Sequence, residues 1–517
     1  MSNPKEVGTA QQDTRLAELW LRIEKDPAYS HASIVIPSLS MDAEELKKIA
    51  GVAFYEERLL FLLMRLRNPA ARVLYITSQP IPVEVIDYYL ELLGGVPASH
   101  ARERLKMLCV YDSRPLALTA KILERPRVVA RMRQWIGNRN RAYMTCFNSS
   151  GLESTLAEQL GVPLNGVDPE LLDLGTKSGS RKIFKRAGVA CPDGFEDVRS
   201  RSDIVDRLLD LESVEPRIKR AVVKLDTSFA GEGNACFTYP EERRSRAALE
   251  DALDRMTWNS ATEHPQNYFS KLNERGGIVE RLIEATEVRS PSAQMRITPT
   301  GEIQHVSTHE QILGGAANQA YMGCRFPADD FYRERLQSDA YKIAEVLRDE
   351  GVVSRFAVDF VAWQTIDSNA WQTAAIEINL RMGGTTFPFL ALEFLTHGKL
   401  DSNGHFISAR GNRKFYVATD TLKSPSYVGL LPEDLTDIMI AQGLNFDPGP
   451  ETGVLFHMIG ALSQYGKLGV IAIGDSLEQA QQHYDRTRDV LDQETSGRKF
   501  SRQPGRELLP MATRRID

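Results

Sequence analysis

The sequence predicts a protein of several domains, in which an α/β unit is followed by α+β units. Its 517 residues exceed what one hydrophobic core usually serves. Short apolar strands alternate with helical patterns over residues 30–150, whereas strand patterns dominate residues 222–379. A hydrophobic content of 42% and a charged content of 26% are ordinary for a globular chain. We therefore expect a large buried core divided among several structural units.

The composition argues against several classes of protein. A net charge of −6 is small for this length and gives no overall reason to bind nucleic acid or an anionic membrane. The five cysteines are scattered without a CxxC pair, which favours reduced thiols over disulfides or a zinc site. The first residues lack an apolar signal region, and the most apolar helical pattern, at 52–66, is interrupted by charges and too short to cross a bilayer. We expect a soluble, cytoplasmic protein without nucleic acid or membrane partners.

The first two predicted units are an N-terminal arm, flexible or helical, at 1–29 and a Rossmann-like domain at 30–171. In the latter, helical patterns separate apolar strands, which is typical of a parallel sheet with crossover helices. No strand-to-helix turn carries GxGxxG or GxxxxGK[ST], so a dinucleotide or P-loop site has little support there. The predicted strands are 33–37, 72–79, 106–113 and 142–150.

The rest of the chain is predicted to form a core at 172–400, a smaller α+β domain at 405–495 and a flexible basic tail at 496–517. The core combines hairpins with a long helix at about 329–349. The last helix is expected to begin at Ser476, where Ser476 and Gln479 fit the S-x-x-Q capping box.

Two lysines and a glycine-rich loop could hold the phosphates of a nucleotide. Lys177 lies in GTKSGSRKIF, at the entry of a predicted helix. Lys224 ends the buried strand AVVKL and precedes SFAGEGNA, in which Gly231 and Gly233 let the backbone approach phosphate oxygens closely. The alternative is a surface lysine beside an ordinary hairpin turn.

Acidic and amide side chains at 359–381 could hold a metal ion. Asp359 lies on FAVDFVAW, and Glu377, Asn379 and Arg381 share one face of EINLR because side chains alternate along a strand. If the two strands pair, Asp359 comes close to Glu377 and Asn379. Two carboxylates and an amide oxygen suit Mg²⁺, and Arg381 can stabilise a phosphoryl group or an oxyanion. The alternative is a buried structural cluster.

A third acidic segment, GGIVERLIEATEVRSP, contains Glu280 and Glu287. A carboxylate within an apolar strand is costly unless it is paired, so Glu280 is the more notable of the two. A glutamate on an edge strand that faces water is the alternative.

In this order, the motifs resemble the ATP-grasp superfamily over residues 172 to about 395. The resemblance implies that ATP and Mg²⁺, or Mn²⁺, are the cofactors. It implies that Lys177, Lys224, Gly231 and Gly233 contact the phosphates, and that Glu280, the backbone near Leu282 and Glu287 contact the nucleoside. It implies that Asp359, Glu377 and Asn379 hold the metal ion, and that Arg381 and Lys224 act in catalysis.

Strings such as THEQILGG, EINLRMGGTTFP and GVLFHMIGALSQYGKLGVIAIGDS resemble the subgroup typified by the pheganomycin peptide ligase. This subgroup adds a pre-ATP-grasp N-terminal domain and a C-terminal domain to the core. The resemblance implies a ligase that joins a small-molecule carboxylate to an amino-acid or peptide amine through an acyl phosphate, with release of ADP and phosphate. The sequence is also compatible with a homodimer.

The chain departs from the superfamily pattern at one position, since many members have an arginine where this chain has Ala357. Arg355 lies two residues further back. Arg289 and Arg296 are therefore candidates to grip a substrate carboxylate, unless they are surface arginines. Gly383, Gly384 and Thr385 complete the expected substrate site.

Two other functions are also compatible with the sequence. One is a carboxylase that acts on bicarbonate, which would need a biotin-carrying partner because no MKM segment occurs in this chain. The other is a non-catalytic protein of the same fold that binds a nucleotide as a structural ligand.

Overall fold

The structure is a computed structural model that describes residues 4–228, 233–241, 245–259, 263–314, 320–364 and 370–496. It contains a five-stranded parallel sheet, a five-stranded antiparallel sheet and a nine-stranded antiparallel sheet, so the predicted combination of α/β and α+β architecture is confirmed. Among the described residues, no helix is both long and apolar enough to cross a membrane.

The first sheet is parallel and has the strand order β3-β2-β1-β4-β5. Strand β1 is buried along its whole length, as expected when helices cover both faces of a parallel sheet. The chain reverses direction across the sheet between β1 and β4, and ligands of such sheets bind in the crevice at that point. The strands are β1 (His31–Ile36), β2 (Ala71–Thr77), β3 (Leu105–Cys109), β4 (Ala142–Cys146) and β5 (Leu164–Asn165).

Helices surround this sheet, including the one predicted after Asp42. The apolar stretch predicted at 52–66 forms a 3₁₀ helix, Val52–Arg67, which packs on β2 and on the later helix Thr386–Thr396. It therefore lies between the first domain and the core. The α-helices are α1 (Pro4–Lys25), α2 (Ala43–Lys48), α3 (Val83–Glu91), α4 (Ala98–Glu103), α5 (Leu118–Leu123), α6 (Pro126–Ile136) and α7 (Gly151–Leu160).

The second sheet is antiparallel, has the order β6-β10-β7-β8-β9 and encloses its own hydrophobic cluster. Its strands are β6 (Gly194–Val198), β7 (Arg220–Leu225), β8 (Asn234–Thr238), β9 (Thr257–Trp258) and β10 (Gly277–Arg281). The helices of this region are α8 (Lys177–Ala187), α9 (Arg201–Val214), α10 (Arg246–Ala252) and α11 (Pro265–Arg275). The predicted glycine-rich loop joins β7 to β8.

The third sheet has nine strands and runs from the core into the predicted C-terminal domain. Its order is β11-β15-β12-β13-β14-β19-β21-β20, and β16 also pairs with β15. Its strands are β11 (Glu287–Arg289), β12 (Pro291–Ile297), β13 (Ile303–Gly314), β14 (Ala320–Phe326), β15 (Ser354–Gln364), β16 (Trp371–Asn379), β19 (Phe415–Lys423), β20 (Gly453–His457) and β21 (Lys467–Gly474). A separate hairpin consists of β17 (Lys399–Leu400) and β18 (Phe406–Ile407).

The remaining helices cover this large sheet. The predicted start of the last helix is correct, since the Ser476 hydroxyl accepts from the Gln479 amide. The Gln479 side chain accepts from the Asp475 amide rather than from that of Ser476, so only half of the predicted capping box forms. The helices are α12 (Arg333–Asp349), α13 (Thr386–Thr396), α14 (Pro432–Ala441), α15 (Ala461–Tyr465) and α16 (Leu477–Thr495). Short 3₁₀ helices are Arg139–Arg141, Pro169–Gly175, Leu253–Arg255 and Pro425–Tyr427.

Candidate active site

A cavity of about 530 Å³ opens between the carboxyl end of the first sheet, the second sheet and the end of β16. It therefore adjoins the crevice expected from the strand order of the first sheet. Five of the residues predicted for the site line this cavity: Lys177, Gly233, Glu377, Asn379 and Arg381.

Lys177 is the first residue of α8 and is almost fully buried. The helix begins here because the Thr176 side chain accepts from the Gly179 amide and caps the first turn. The Lys177 ammonium lies 3.1 Å from a carboxylate oxygen of Glu377. The predicted nucleotide lysine and a predicted metal ligand, 200 residues apart in sequence, are therefore ion-paired in the cavity.

Lys224 of β7 does not line the cavity and contacts buried Glu280 of β10. Strands β7 and β10 are antiparallel neighbours in which Ile278 lies opposite Lys224, so Glu280 is close to the lysine head group. Arg181 of α8 donates to the other Glu280 oxygen at 3.2 Å. Glu280 is thus a buried carboxylate paired with two cations and not an edge residue that faces water. The two pairs offset the cost of burying its charge.

Asp359 and Glu377 lie directly opposite each other on β15 and β16. The pairing that the sequence suggested for these strands is present, although 365–369 in the connection lie outside the described residues. Asp359 accepts from Gln311 at 2.8 Å and from Asn379 at 2.9 Å. Burial and the neighbouring Glu377 raise the pKa of Asp359 to about 7.

Glu377 differs from Asp359 in its electrostatic surroundings. Burial alone would raise the pKa of Glu377, but Lys177, Lys224 and Arg381 outweigh it and lower the pKa below its ordinary value. Glu377 is thus held ionised by these cations, whereas the ionised form of Asp359 beside it is disfavoured. A bound divalent cation would stabilise the ionised form of both carboxylates.

Arg381 follows β16 and lines the same cavity. Its guanidinium donates to the Asn379 side-chain oxygen at 3.2 Å and to the Met382 carbonyl at 3.3 Å. Strand alternation carries Glu377 and Asn379 onto one face, and the backbone after the strand keeps Arg381 beside them. The expected grouping of these three side chains is therefore present.

The predicted glycines have different surroundings. Gly231 lies outside the described residues. A Cβ on Gly233 would lie 2.5 Å from Ser228 Cβ, so the glycine allows the base of the β7–β8 loop to close tightly. The Gly383 amide donates to Thr386 at 3.0 Å, and a Cβ on Gly384 would meet the Tyr321 ring at 2.9 Å. Gly383, Gly384 and buried Thr385 form the turn into α13 and do not line the cavity.

The other predicted contacts lie outside this cavity. Leu282 follows β10, and exposed Glu287 forms an ion pair with Arg289 at 2.7 Å. Arg289 also pairs with Asp329 at 2.6 Å and stacks on Trp371. Arg296 stacks on Trp20 of α1, 4.5 Å from the ring centroid. The roles suggested for these residues stay predictions.

Several residues that line the cavity were not singled out from the sequence. Ser40 follows β1, and Asn148 follows β4. The Ser40 backbone amide donates to the Asn148 side-chain oxygen at 3.0 Å, and the Asn148 side-chain amide donates to the Ser40 carbonyl at 2.9 Å. Asp226 accepts from the Ser178 amide at 2.8 Å, and Lys271 and Arg275 approach from α11. The polar run FNSS directly after a buried strand was the available signal for Asn148, since strand ends at the reversal point form ligand crevices.

Two protein-family models match the chain. The model described as IQCH-like, ATP-grasp matches residues 169–264 and 243–403, which include all of the predicted nucleotide and metal residues. The model described as PGM1 C-terminal domain matches residues 434–487.

The chain is also similar to the L-propargylglycine–L-glutamate ligase of Streptantibioticus cattleyicolor, with 29% identity over 89% of this chain and 93% of that protein. The matched ATP-grasp region and this similar ligase confirm the predicted resemblance to the ATP-grasp superfamily and to its peptide-ligase subgroup. The chain is also 21% identical, over 90% of its length, to the IQ motif-containing protein H of Danio rerio, but it spans only 48% of that protein.

Solved structures share the fold of this chain at low sequence identity. A biotin carboxylase from Campylobacter jejuni, in complex with an ATP analogue, covers 91% of this chain and 96% of its own, with 12% identity and a TM-score of 0.56. The biotin carboxylase domain of 2-oxoglutarate carboxylase from Hydrogenobacter thermophilus, solved with MgADP, ADP and bicarbonate, covers 89% of each chain with 12% identity and a TM-score of 0.52. At this identity the likeness concerns the fold alone.

Proposed function

We propose that the protein is an ATP-dependent ligase that joins a carboxylate to an amine through an acyl phosphate and releases ADP and phosphate. The observation that carries this proposal is the cavity in which Lys177, Glu377, Asn379 and Arg381 meet. Its walls come from three units of the fold, so a nucleotide and two further substrates can be brought together there.

ATP and Mg²⁺ are the proposed cofactors, with Mn²⁺ as a substitute. The oxygens of Asp359, Glu377 and Asn379 would hold the metal ion, since carboxylate and amide oxygens are the ligands that Mg²⁺ takes in proteins. The raised pKa of Asp359 beside Glu377 supports this set, because two adjacent carboxylates favour a bound cation. When bound, the ion neutralises charge on the transferring phosphoryl group.

The side chains of the cavity have distinct proposed roles. Lys177 exchanges its contact with Glu377 for the phosphate oxygens of ATP. Lys224, fixed by Glu280, adds positive charge behind the phosphates. Arg381 stabilises the anionic oxygen that develops when the substrate carboxylate attacks the γ-phosphorus, and again when the amine attacks the acyl carbon.

The substrates are proposed to be an amino-acid or peptide carboxylate and an amino-acid or peptide amine. The similar protein from Streptantibioticus cattleyicolor is named for L-propargylglycine and L-glutamate. These two amino acids are therefore the first pair to test.

The proposal is tested by incubating the protein with ATP, Mg²⁺ and pairs of amino acids, with ADP, phosphate and product mass as readouts. We expect one ADP and one phosphate for each amide formed. Glu377→Gln should abolish turnover, whereas Glu345→Gln, a change at an exposed position of α12, should leave it unchanged. Release of AMP and pyrophosphate, or ADP formation that requires bicarbonate and no amine, would contradict the proposal.

A further inference from the structure

Three arginines from three elements meet where the first domain joins the large sheet. We call them the arginine cluster: Arg65 of the 3₁₀ helix Val52–Arg67, Arg296 of β12 and Arg355 of β15. Arg296 and Arg355 lie directly opposite each other on antiparallel strands. Like charges in such cross-strand pairs are destabilising, so this arrangement requires a compensating partner.

No carboxylate in the described part of the chain pairs with the arginine cluster. Within 4.0 Å of these guanidinium groups the described residues offer no acidic oxygen. Glu393 of α13 and Glu24 of α1 act only at longer range. Burial, reinforced by Arg296, lowers the pKa of the Arg355 guanidinium to about 9, and burial followed by Arg65 lowers the pKa of Arg296.

The hydrogen-bonding capacity of the cluster is only partly used. Arg65 donates to the hydroxyls of Ser33 and Thr145, at 3.3 Å for Thr145. The Arg355 Nη1 atom is shut off from solvent and has no hydrogen-bond partner among the described residues. A buried guanidinium nitrogen without an acceptor is costly and calls for an explanation.

Aromatic rings hold two of the guanidinium groups in place. Arg65 lies over Tyr143, with its Cζ 5.4 Å from the ring centroid, and Arg296 lies over Trp20 at 4.5 Å. Stacking occupies a face of a guanidinium and leaves the N–H groups at its edge for an acceptor. The groups are therefore positioned in advance of any ligand.

We propose that the arginine cluster binds the phosphate or carboxylate group of a small molecule, at a site separate from the cavity. An oxyanion with several acceptor oxygens satisfies guanidinium donors from more than one arginine and cancels their repulsion. Arg355 lies on the same face of β15 as Asp359 and four residues before it, about 13 Å along the strand. The bound anion links Arg65 of the first domain to Arg296 and Arg355 of the core. Arg296 then belongs to this second site and not to the cavity.

The site is tested by thermal unfolding of the full-length protein at constant ionic strength in chloride, inorganic phosphate or glutarate. We expect phosphate, glutarate or both to raise Tm by a few degrees above chloride, since a ligand of the folded state stabilises it. A rise with phosphate alone identifies a phosphate-bearing ligand, and a rise with glutarate alone identifies a carboxylate. Equal Tm values in all three salts would overturn the proposal.

Two variants separate this site from general salt effects. Arg355→Met and Arg65→Met should each abolish the anion response, and Arg355→Met should also have a Tm in chloride at or above that of the wild type, because repulsion is relieved. Arg348→Met, an exposed position of α12 paired with Asp349, should keep the full response. Retention of the response in both cluster variants would refute the site. The readout needs no turnover, so it stands apart from the test of the ligase activity.

Discussion

At the scale of single residues, the contact between Lys177 and Glu377 is the most informative feature of the cavity. A buried ammonium and a carboxylate satisfy each other at 3.1 Å. Such a pair is costly to desolvate and expensive to break by removing one partner. A phosphate can replace Glu377 as the partner of Lys177, and a metal ion can replace Lys177 as the partner of Glu377. The pair therefore suits a site whose two charges are neutralised by each other or by a bound ligand.

Replacing Lys177 tests this role directly. Lys177→Met should weaken binding of MgADP by about tenfold or more, because a charge-assisted hydrogen bond to phosphate contributes roughly 1.5–3 kcal/mol. Lys182→Met is the matched control, since Lys182 lies on the same helix but is exposed and paired with Asp197. Isothermal titration calorimetry gives both dissociation constants. Equal affinities in the two variants would remove Lys177 from the nucleotide site.

The sequence could predict the residues of this site wherever a local rule connects them. Strand alternation groups Glu377 with Asn379, and glycine content identifies the loop around Gly233. The contacts between distant segments could not be predicted, because strand register and helix placement decide them. Glu280 meets Lys224 only through the pairing of β10 with β7, and Arg296 faces Trp20 only because α1 packs there.

At the scale of elements, the 3₁₀ helix Val52–Arg67 joins the first domain to the C-terminal strands. Glu57 accepts from the Gly460 amide at 3.1 Å, and Arg58 pairs with Asp420. Lys467 donates to the Tyr55 hydroxyl at 2.6 Å. In the sequence these charged residues interrupt an apolar run, but in the structure they are the polar contacts of a buried joint.

Glu57 makes this joint sensitive to pH. Burial raises the pKa of Glu57 from 4.5 to about 7 in the folded protein. Between these pH values the folded state keeps a proton that the unfolded state has lost, so stability falls as pH rises from 4.5 to 7 and is level above. The loss is on the order of 3 kcal/mol.

Glu57→Gln should remove this part of the pH dependence. Because glutamine does not ionise, the Tm of the variant minus that of the wild type should increase between pH 5 and pH 8. Thermal unfolding at several pH values measures the difference, and Glu345→Gln should show none. A difference that stays constant with pH would show that Glu57 keeps its ordinary pKa.

At the scale of the whole molecule, the sequence predicted the fold class correctly but not the continuity of the large sheet. Patterns in 405–495 suggested a small domain of its own, since local periodicity carries no information on which strand lies beside which. In the structure β19 pairs with β14, with Cys324 opposite Ala418, and so extends the core sheet. The predicted domain boundaries, a dimer and a cytoplasmic location stay predictions.

Aromatic residues of the core pack against the C-terminal strands. Phe326 stacks on Tyr416 at 4.8 Å, and His309 hydrogen-bonds the Tyr416 hydroxyl at 2.5 Å. Phe389 packs edge-on against Phe406 at 5.8 Å. Removing β17 to β21 would expose these rings and leave β14 as an unpaired edge, which favours aggregation.

A fragment of residues 1–398 should therefore lack a cooperative thermal transition and should not bind MgADP, although it contains every residue proposed for the nucleotide and the metal. Circular dichroism melts and calorimetry measure both properties. Supplying residues 399–517 as a second chain should restore them, because the missing strands can pair with β14 again. If the fragment alone melts near the Tm of the full chain and binds MgADP, the C-terminal strands are an appendage and the core is an independent folding unit.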